Sequence, residues 1–147
     1  KSSNVGARMI EGQCYCGEVR FTVAEPSSKA DVVFAGYCHC LSCRRAHAAP
    51  VYQVAYLKEH LFAYTAGEEL VKHFRKVEGK DPVRSFCSNC GSKLTIQYAQ
   101  SMPGCIGTFP ALYDEASQKN LPELLKPSKV NERESCVLDN DVLKLGK

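Results

Sequence analysis

No stretch of this 147-residue chain approaches the ~20 consecutive apolar residues that a bilayer-crossing helix requires, which excludes a membrane-spanning reading. The opening segment, Lys1 to Arg8, is polar and lacks the apolar core of a secretory signal. Low-complexity tracts, dividing linkers and repeats longer than a few residues are missing as well. With 44% hydrophobic and 24% charged residues, the length suits one globular unit able to enclose its own core. These absences predict a single soluble domain over 1–147, in a reducing compartment taken to be the cytoplasm.

A large charge of either sign is also missing. The formal net charge of +3 counts every cysteine as neutral, whereas a metal-bound cysteine is a thiolate. Each cysteine that ionises lowers that small sum by one, so a few thiolates cancel it. No net field then remains to attract nucleic acid, and no nucleic-acid partner is expected.

What the chain has in abundance is cysteine. The nine thiols fall as Cys14 and Cys16, then Cys38, Cys40 and Cys43, then Cys87 and Cys90, with Cys105 and Cys136 alone. A disulfide framework expects an even count, and neighbours one or two residues apart are poorly placed to bridge each other. Two thiolates at that spacing can instead point to one side of a tight turn and share an ion, with a distant pair completing the tetrahedron that zinc prefers. In Phe86-Cys87-Ser88-Asn89-Cys90-Gly91 and in Cys14-Tyr15-Cys16-Gly17, a glycine after the second cysteine lets the backbone turn back with positive φ. Counting separates the clusters in kind. Cys14, Cys16, Cys87 and Cys90 supply four ligands, the closed shell of a structural ion; Cys38, Cys40 and Cys43 supply three, which leaves a position open as in catalytic zinc. In the competing reading, Cys105, Cys136 or His39 fills that position and both ions are structural.

Between the clusters, β-branched and aromatic residues mark strands at Val19 to Val23, Asp31 to Tyr37, Pro50 to Leu57, Phe62 to Ala66, Leu70 to Arg75, Val83 to Phe86, Lys93 to Gln97 and Cys105 to Phe109. Cys40 to His47 reads as a helical turn over the metal, and Pro110 to Leu125 as the place for a short helix. The fold class expected is mainly β: antiparallel sheets stapled by zinc, with one or two short helical turns.

The motifs Gly12-Gln13-Cys14-Tyr15-Cys16-Gly17, Tyr37-Cys38-His39-Cys40-Leu41-Ser42-Cys43-Arg44-Arg45 and Phe86-Cys87-Ser88-Asn89-Cys90-Gly91-Ser92 resemble those of the glutathione-dependent formaldehyde-activating enzyme family, which includes centromere protein V. The resemblance covers about residues 9 to 115, leaving 116–147 as a C-terminal extension, and implies an Mss4-like fold. It implies that the two pairs share a structural zinc and that the triplet holds a second zinc able to take a substrate thiolate. The implied reaction adds glutathione to formaldehyde, giving S-hydroxymethylglutathione, a carbon–sulfur step classed with lyases. The tail, Lys126-Pro127-Ser128-Lys129-Val130-Asn131-Glu132-Arg133, lacks the histidine that members usually carry there.

Glutathione bears two carboxylates, so Arg44 and Arg45, directly after Cys43, are candidate anchors; the alternative for each is a solvated arginine or one that binds a carbonyl at a turn end. His39, between two ligands, is expected to point away from the metal, because alternate residues of an extended segment face opposite ways. His47 reaches the open site if the helical turn continues, and otherwise lies on the surface. Tyr15, Tyr37 and Phe86 flank ligands and are expected to pack on the zinc knuckles. Cys105 reads as a buried thiol, and Cys136 carries no readable role.

Two function classes follow: a zinc enzyme acting on a thiol adduct of formaldehyde or a related small aldehyde, and a non-catalytic zinc module that binds a protein partner. Whether a fourth protein ligand caps the triplet discriminates them. A third class, a chromatin or cytoskeletal factor, would want a basic, Pro-rich extension that the chain does not contain. Either a monomer or a homodimer joined at a strand edge is compatible with the pattern.

Overall fold

A computed structural model describes residues 6–131. Ten strands and two short helices make up the described part, so the fold is mainly β as the residue pattern predicts. Strands β1 (Met9–Gln13), β2 (Arg20–Ala24) and β5 (Phe62–Ala66) form a three-stranded antiparallel sheet. The second sheet contains β3 (Val32–Cys38), β4 (Tyr52–Lys58), β6 (Val71–Arg75), β7 (Val83–Cys87), β8 (Lys93–Gln97), β9 (Cys105–Thr108) and β10 (Lys129–Asn131). Its order is β10-β3-β4-β9-β8-β7-β6, and one pairing departs from the antiparallel expectation: β10 runs parallel to β3, placing Asn131 opposite Cys38.

The sheets share a core in which Ile10, Phe21 and Val23 of the small sheet meet Ala35, Ala55 and Leu57 of the large one. Strand β4 is covered on both faces. Ala55 and Leu57 enter that core, while Val54 and Tyr56, pointing the other way by the alternation of a strand, pack with Ile96 and Phe109. A strand buried on both sides needs apolar residues at consecutive positions, which is why Val54 to Leu57 read as a run. Phe21 lies over Gly12 on the neighbouring strand, where any Cβ would run into its ring. Burying a side chain of this size contributes roughly 2–3 kcal/mol.

Helix α1 (Leu41–His47) follows β3 after two residues, with Cys40 as its N-cap. It stops at Ala48, which adopts a left-handed conformation (φ 50°). Helix α2 (Glu115–Lys119) lies within the predicted 110–125 window and is capped by Asp114, which accepts hydrogen bonds from the Ser117 amide (2.8 Å) and hydroxyl (2.9 Å). Among the described residues no helix is long and apolar enough to cross a membrane.

Candidate metal centres

Two turns build the first centre, and they are bonded alike. In one, the Cys14 amide donates to the Val19 carbonyl (3.0 Å); in the other, the Cys87 amide donates to the Ser92 carbonyl (2.9 Å). Each turn reverses at its glycine, Gly17 or Gly91, both at φ 81°, a value that costs glycine nothing and other residues about 1 kcal/mol or more. The Tyr15 amide donates to the Ser92 hydroxyl (2.8 Å), tying one turn to the other. The sulfurs of Cys14, Cys16, Cys87 and Cys90 consequently all lie within 4.8 Å of one another. Two of the separations are 3.5 Å (Cys14 to Cys16) and 3.9 Å (Cys16 to Cys87). A tetrahedron with metal–sulfur bonds of ~2.3 Å has edges of about 3.8 Å, which these two separations bracket, so the four sulfurs are grouped as a four-coordinate ion requires.

Further hydrogen bonds reach the sulfurs. The Val19 amide donates to Cys14 Sγ (3.4 Å) and the Asn89 side-chain amide to Cys16 Sγ (3.3 Å), orienting them as outer donors do around metal thiolates. Burial pushes the Cys90 thiol up, but hydrogen bonds from the Ser92 and Cys16 amides, joined by the side chains of both, bring it down to about 6. Tyr15, by contrast, does not pack on the knuckle as expected. It is 89% exposed, because two neighbours turned inward as ligands leave the residue between them facing solvent.

The second centre joins the end of β3 to the start of α1. Cys38 closes the strand, Cys40 caps the helix, and Cys43 lies in the first turn, with all three sulfurs within 4.8 Å of one another. Among the described residues no fourth His, Cys, Asp or Glu completes this group. His39 is buried with both ring nitrogens lacking a hydrogen-bond partner, yet it does not join the three sulfurs. Cys105 is buried in β9 and belongs to neither group, while Cys136 lies outside the described residues.

Cys38 and Cys43 are 3.6 Å apart and share a proton in the metal-free chain. The hydrogen bond from Cys38 draws the Cys43 thiol down to about 4 despite burial, with Tyr52, Cys40 and Arg84 assisting. The same bond, together with burial, drives the Cys38 thiol upward. Burial keeps the Tyr52 phenol protonated, and its hydroxyl lies 3.5 Å from Cys43 Sγ. Arg84 Nη2 donates to the same sulfur at 3.8 Å, while Nη1 lies 3.5 Å from His47 Nε2. The helical turn does continue to His47, whose ring stacks on Tyr52 with centroids 4.1 Å apart. Burial, then the charge of Arg84, lowers its pKa to about 4, so it is a neutral acceptor for Arg84, and it does not join the three sulfurs.

Cys40 opens into a cleft of about 890 Å3. Arg45, Lys76, Arg84 and Lys93 line it, together with Phe74, Phe86 and Tyr98, and among the described residues no carboxylate does. The Lys93 ammonium lies 5.9 Å from the centre of the Phe86 ring. Of the two arginines singled out by the sequence, Arg45 lines this cleft, whereas Arg44 donates through Nε to the His39 carbonyl at 3.0 Å, the carbonyl-binding alternative. Arg84, Tyr52, Lys76, Lys93 and Tyr98 belong to no motif in the sequence and come to these sites only through the fold. A usable signal existed for Arg84: in β7 it alternates with Cys87, so the strand turns Cys87 toward the first centre and Arg84 with Phe86 toward the cleft. A smaller cavity of about 300 Å3, lined by Tyr37, Gln53 and Lys126 among others, holds no cysteine.

Comparison with known proteins bears on what this arrangement is. The model of the glutathione-dependent formaldehyde-activating enzyme family matches residues 9–129. A crystal structure of a Rhodobacter sphaeroides protein, solved as a structural genomics target, superposes with a TM-score of 0.59 at 24% identity, covering 82% of this chain and 99% of that one. At that identity the likeness speaks for the fold alone. No curated protein matches the chain. The family model spans the β1 to β10 region that carries both cysteine groups, and on that match the chain belongs to the glutathione-dependent formaldehyde-activating enzyme family.

Proposed function

We propose that this protein is a zinc-dependent carbon–sulfur lyase of the S-(hydroxymethyl)glutathione synthase type, acting on the adduct of a thiol such as glutathione with formaldehyde or a related small aldehyde. The observation that carries the reading is the three-cysteine group opening through Cys40 into a cleft lined by cations. In this reading Cys14, Cys16, Cys87 and Cys90 hold a structural zinc and the domain is a single unit of a reducing compartment such as the cytoplasm. A second zinc held by Cys38, Cys40 and Cys43 supplies an open coordination position and a positive charge that lowers the pKa of an arriving thiol.

The chain's own residues do the rest. Arg84 and Tyr52 hold Cys43 by hydrogen bonds, fixing one wall of the centre. Arg45 and Lys93 stand where carboxylates of the thiol can be bound, and Phe86 gives its backbone an apolar surface. In the reaction the thiol sulfur bonds to the aldehyde carbon, the carbon–oxygen π pair moves to oxygen, and the proton lost by the thiol ends there; nothing is released. The test is the zinc content of protein purified without added metal, with and without glutathione, beside Cys40→Ser. Two ions, one lost in the variant and perturbed by glutathione, together with accelerated S-hydroxymethylglutathione formation by NMR, are the expected result. Zinc indifferent to both would sink the reading.

A further inference from the structure

Among the described residues, the cleft beside Cys40 is lined by four cationic side chains and no carboxylate. Among the described residues, ion pairs form only between Arg8 and Glu25, Lys119 and Glu115, and Lys126 and Glu123, so none of the four has a carboxylate partner there. They come from separate elements: Arg45 from α1, Lys76 from just beyond β6, Arg84 from β7 and Lys93 from β8. Four like charges brought to one concavity repel each other, and an anion that enters it relieves part of that cost. Arg84 is already committed to Cys43 Sγ at 3.8 Å, which leaves Arg45, Lys76 and Lys93 for a ligand.

Glutathione is a zwitterion at its γ-glutamyl end, where an ammonium group accompanies a carboxylate. Brought into this cleft, that ammonium would stand among four cations, and among the described residues the lining offers no carboxylate to balance it. We propose that the cleft selects its thiol by negative charge: its ligand class is a thiol bearing at least two anionic groups and no ammonium group inside the cleft, with Arg45, Lys76 and Lys93 as the specificity residues. The proposal rests on the thiol-binding reading above and sharpens it. Phe74 and Phe86 supply flat apolar surface between the charges, suited to the carbon skeleton that separates the anionic groups.

Titration calorimetry on the zinc-loaded protein tests it directly, with glutathione and N-acetylglutathione as probes. The pair share thiol and carboxylates and differ by one positive charge. N-acetylglutathione should bind roughly five- to tenfold more tightly, with a preference that shrinks as salt is added. In the Lys76→Gln/Lys93→Gln variant, whose substitutions fall on exposed side chains, the preference should collapse toward parity. Equal affinities, tighter binding of glutathione, or a preference that survives the double substitution would overturn the selectivity while leaving thiol binding intact. Binding of neither thiol would remove the thiol reading itself, and the selectivity with it.

Discussion

Arg84 reaches across the molecule to donate a hydrogen bond to the sulfur of Cys43, at 3.8 Å, from a strand whose other face carries Cys87 into the first centre. One five-residue strand thus serves both cysteine groups. Donors to a metal thiolate typically change metal affinity 10- to 100-fold when removed. Arg84→Ala should therefore weaken the second metal about tenfold or more and leave the first unchanged. Competition with a chromophoric chelator resolves the two ions, and a uniform loss from both centres would contradict the assignment.

The two centres should differ in what they do for the fold. Cys14 and Cys87 are buried in a cluster with only Val19 and Leu94 as its other fully buried members, edged by partly buried residues such as Leu70 and Val71. A structural zinc contributes on the order of 10 kcal/mol to folding, so Cys14→Ser or Cys87→Ser should unfold the domain. Cys40 is partly exposed and borders the cleft, so Cys40→Ser should keep a cooperative melting transition and lose one ion. Circular dichroism and zinc analysis of the three variants make the comparison; equal collapse of all three would refute the division.

Removing metal provides a separate handle. Cys90 is held near pKa 6 and Cys43 near 4 in the metal-free chain, so both offer thiolate at neutral pH. Because loss of the structural ion would unfold the chain, only the second ion is stripped and reloaded: at pH 7 the three thiols of that centre should release fewer than three protons, a deficit readable in a weakly buffered indicator assay. Release of one proton per thiol ligand would show that the depressed value of Cys43 is absent in solution.

The legible parts of this protein are those where a local pattern has only one physical use. Phe62 to Ala66 and Lys93 to Gln97 were expected as strands and form β5 and β8 at those bounds, because their residues also favour strands locally. The knuckles could be read for a similar reason: cysteines flanked by a glycine at φ 81° have few alternatives to a metal turn. Strand β1 was not foreseen, since Met-Ile-Glu-Gly-Gln contains one strong strand former, and its conformation is set by pairing with β2 and by Phe21 packing over Gly12. Strand β10 was missed likewise; three mostly polar residues become a strand only because β3 offers an edge. The cleft was illegible because its four cations come from four elements, and lysines and arginines spaced along a sequence look like any solvated surface.

Gly36 in β3 illustrates a constraint visible only in three dimensions. A Cβ there would run into the carbonyl oxygen of Lys129 on β10, and backbone cannot move aside as a side chain can. Gly36→Ala should cost about 1–3 kcal/mol and act by loosening β10 from β3, near Cys38. Hydrogen exchange should show faster amides at Lys129 to Asn131; unchanged exchange there would mean that the strands adjust without separating.

His47 should leave a signature in the acid limb of stability. Its pKa is lowered from 6.5 to about 4, first by burial and then by the charge of Arg84, with Lys93 adding and the Cys43 thiolate opposing. Between those two values the unfolded chain binds a proton that the folded chain refuses, so stability rises with pH across that window and falls as pH drops from about 6.5 toward 4. The ring is partly exposed, which reduces the effect to about 1–2 kcal/mol. His47→Phe retains a flat ring against Tyr52 but cannot titrate, and it also leaves Arg84 without its acceptor. The difference between wild-type and variant melting temperatures should therefore vary with pH in this interval, with the variant relatively favoured at pH 4.5. Protonation of thiols and loss of metal occur in both proteins and cancel in the comparison. A difference that stays constant from pH 7 to 4.5 would show that His47 is not held neutral by the fold.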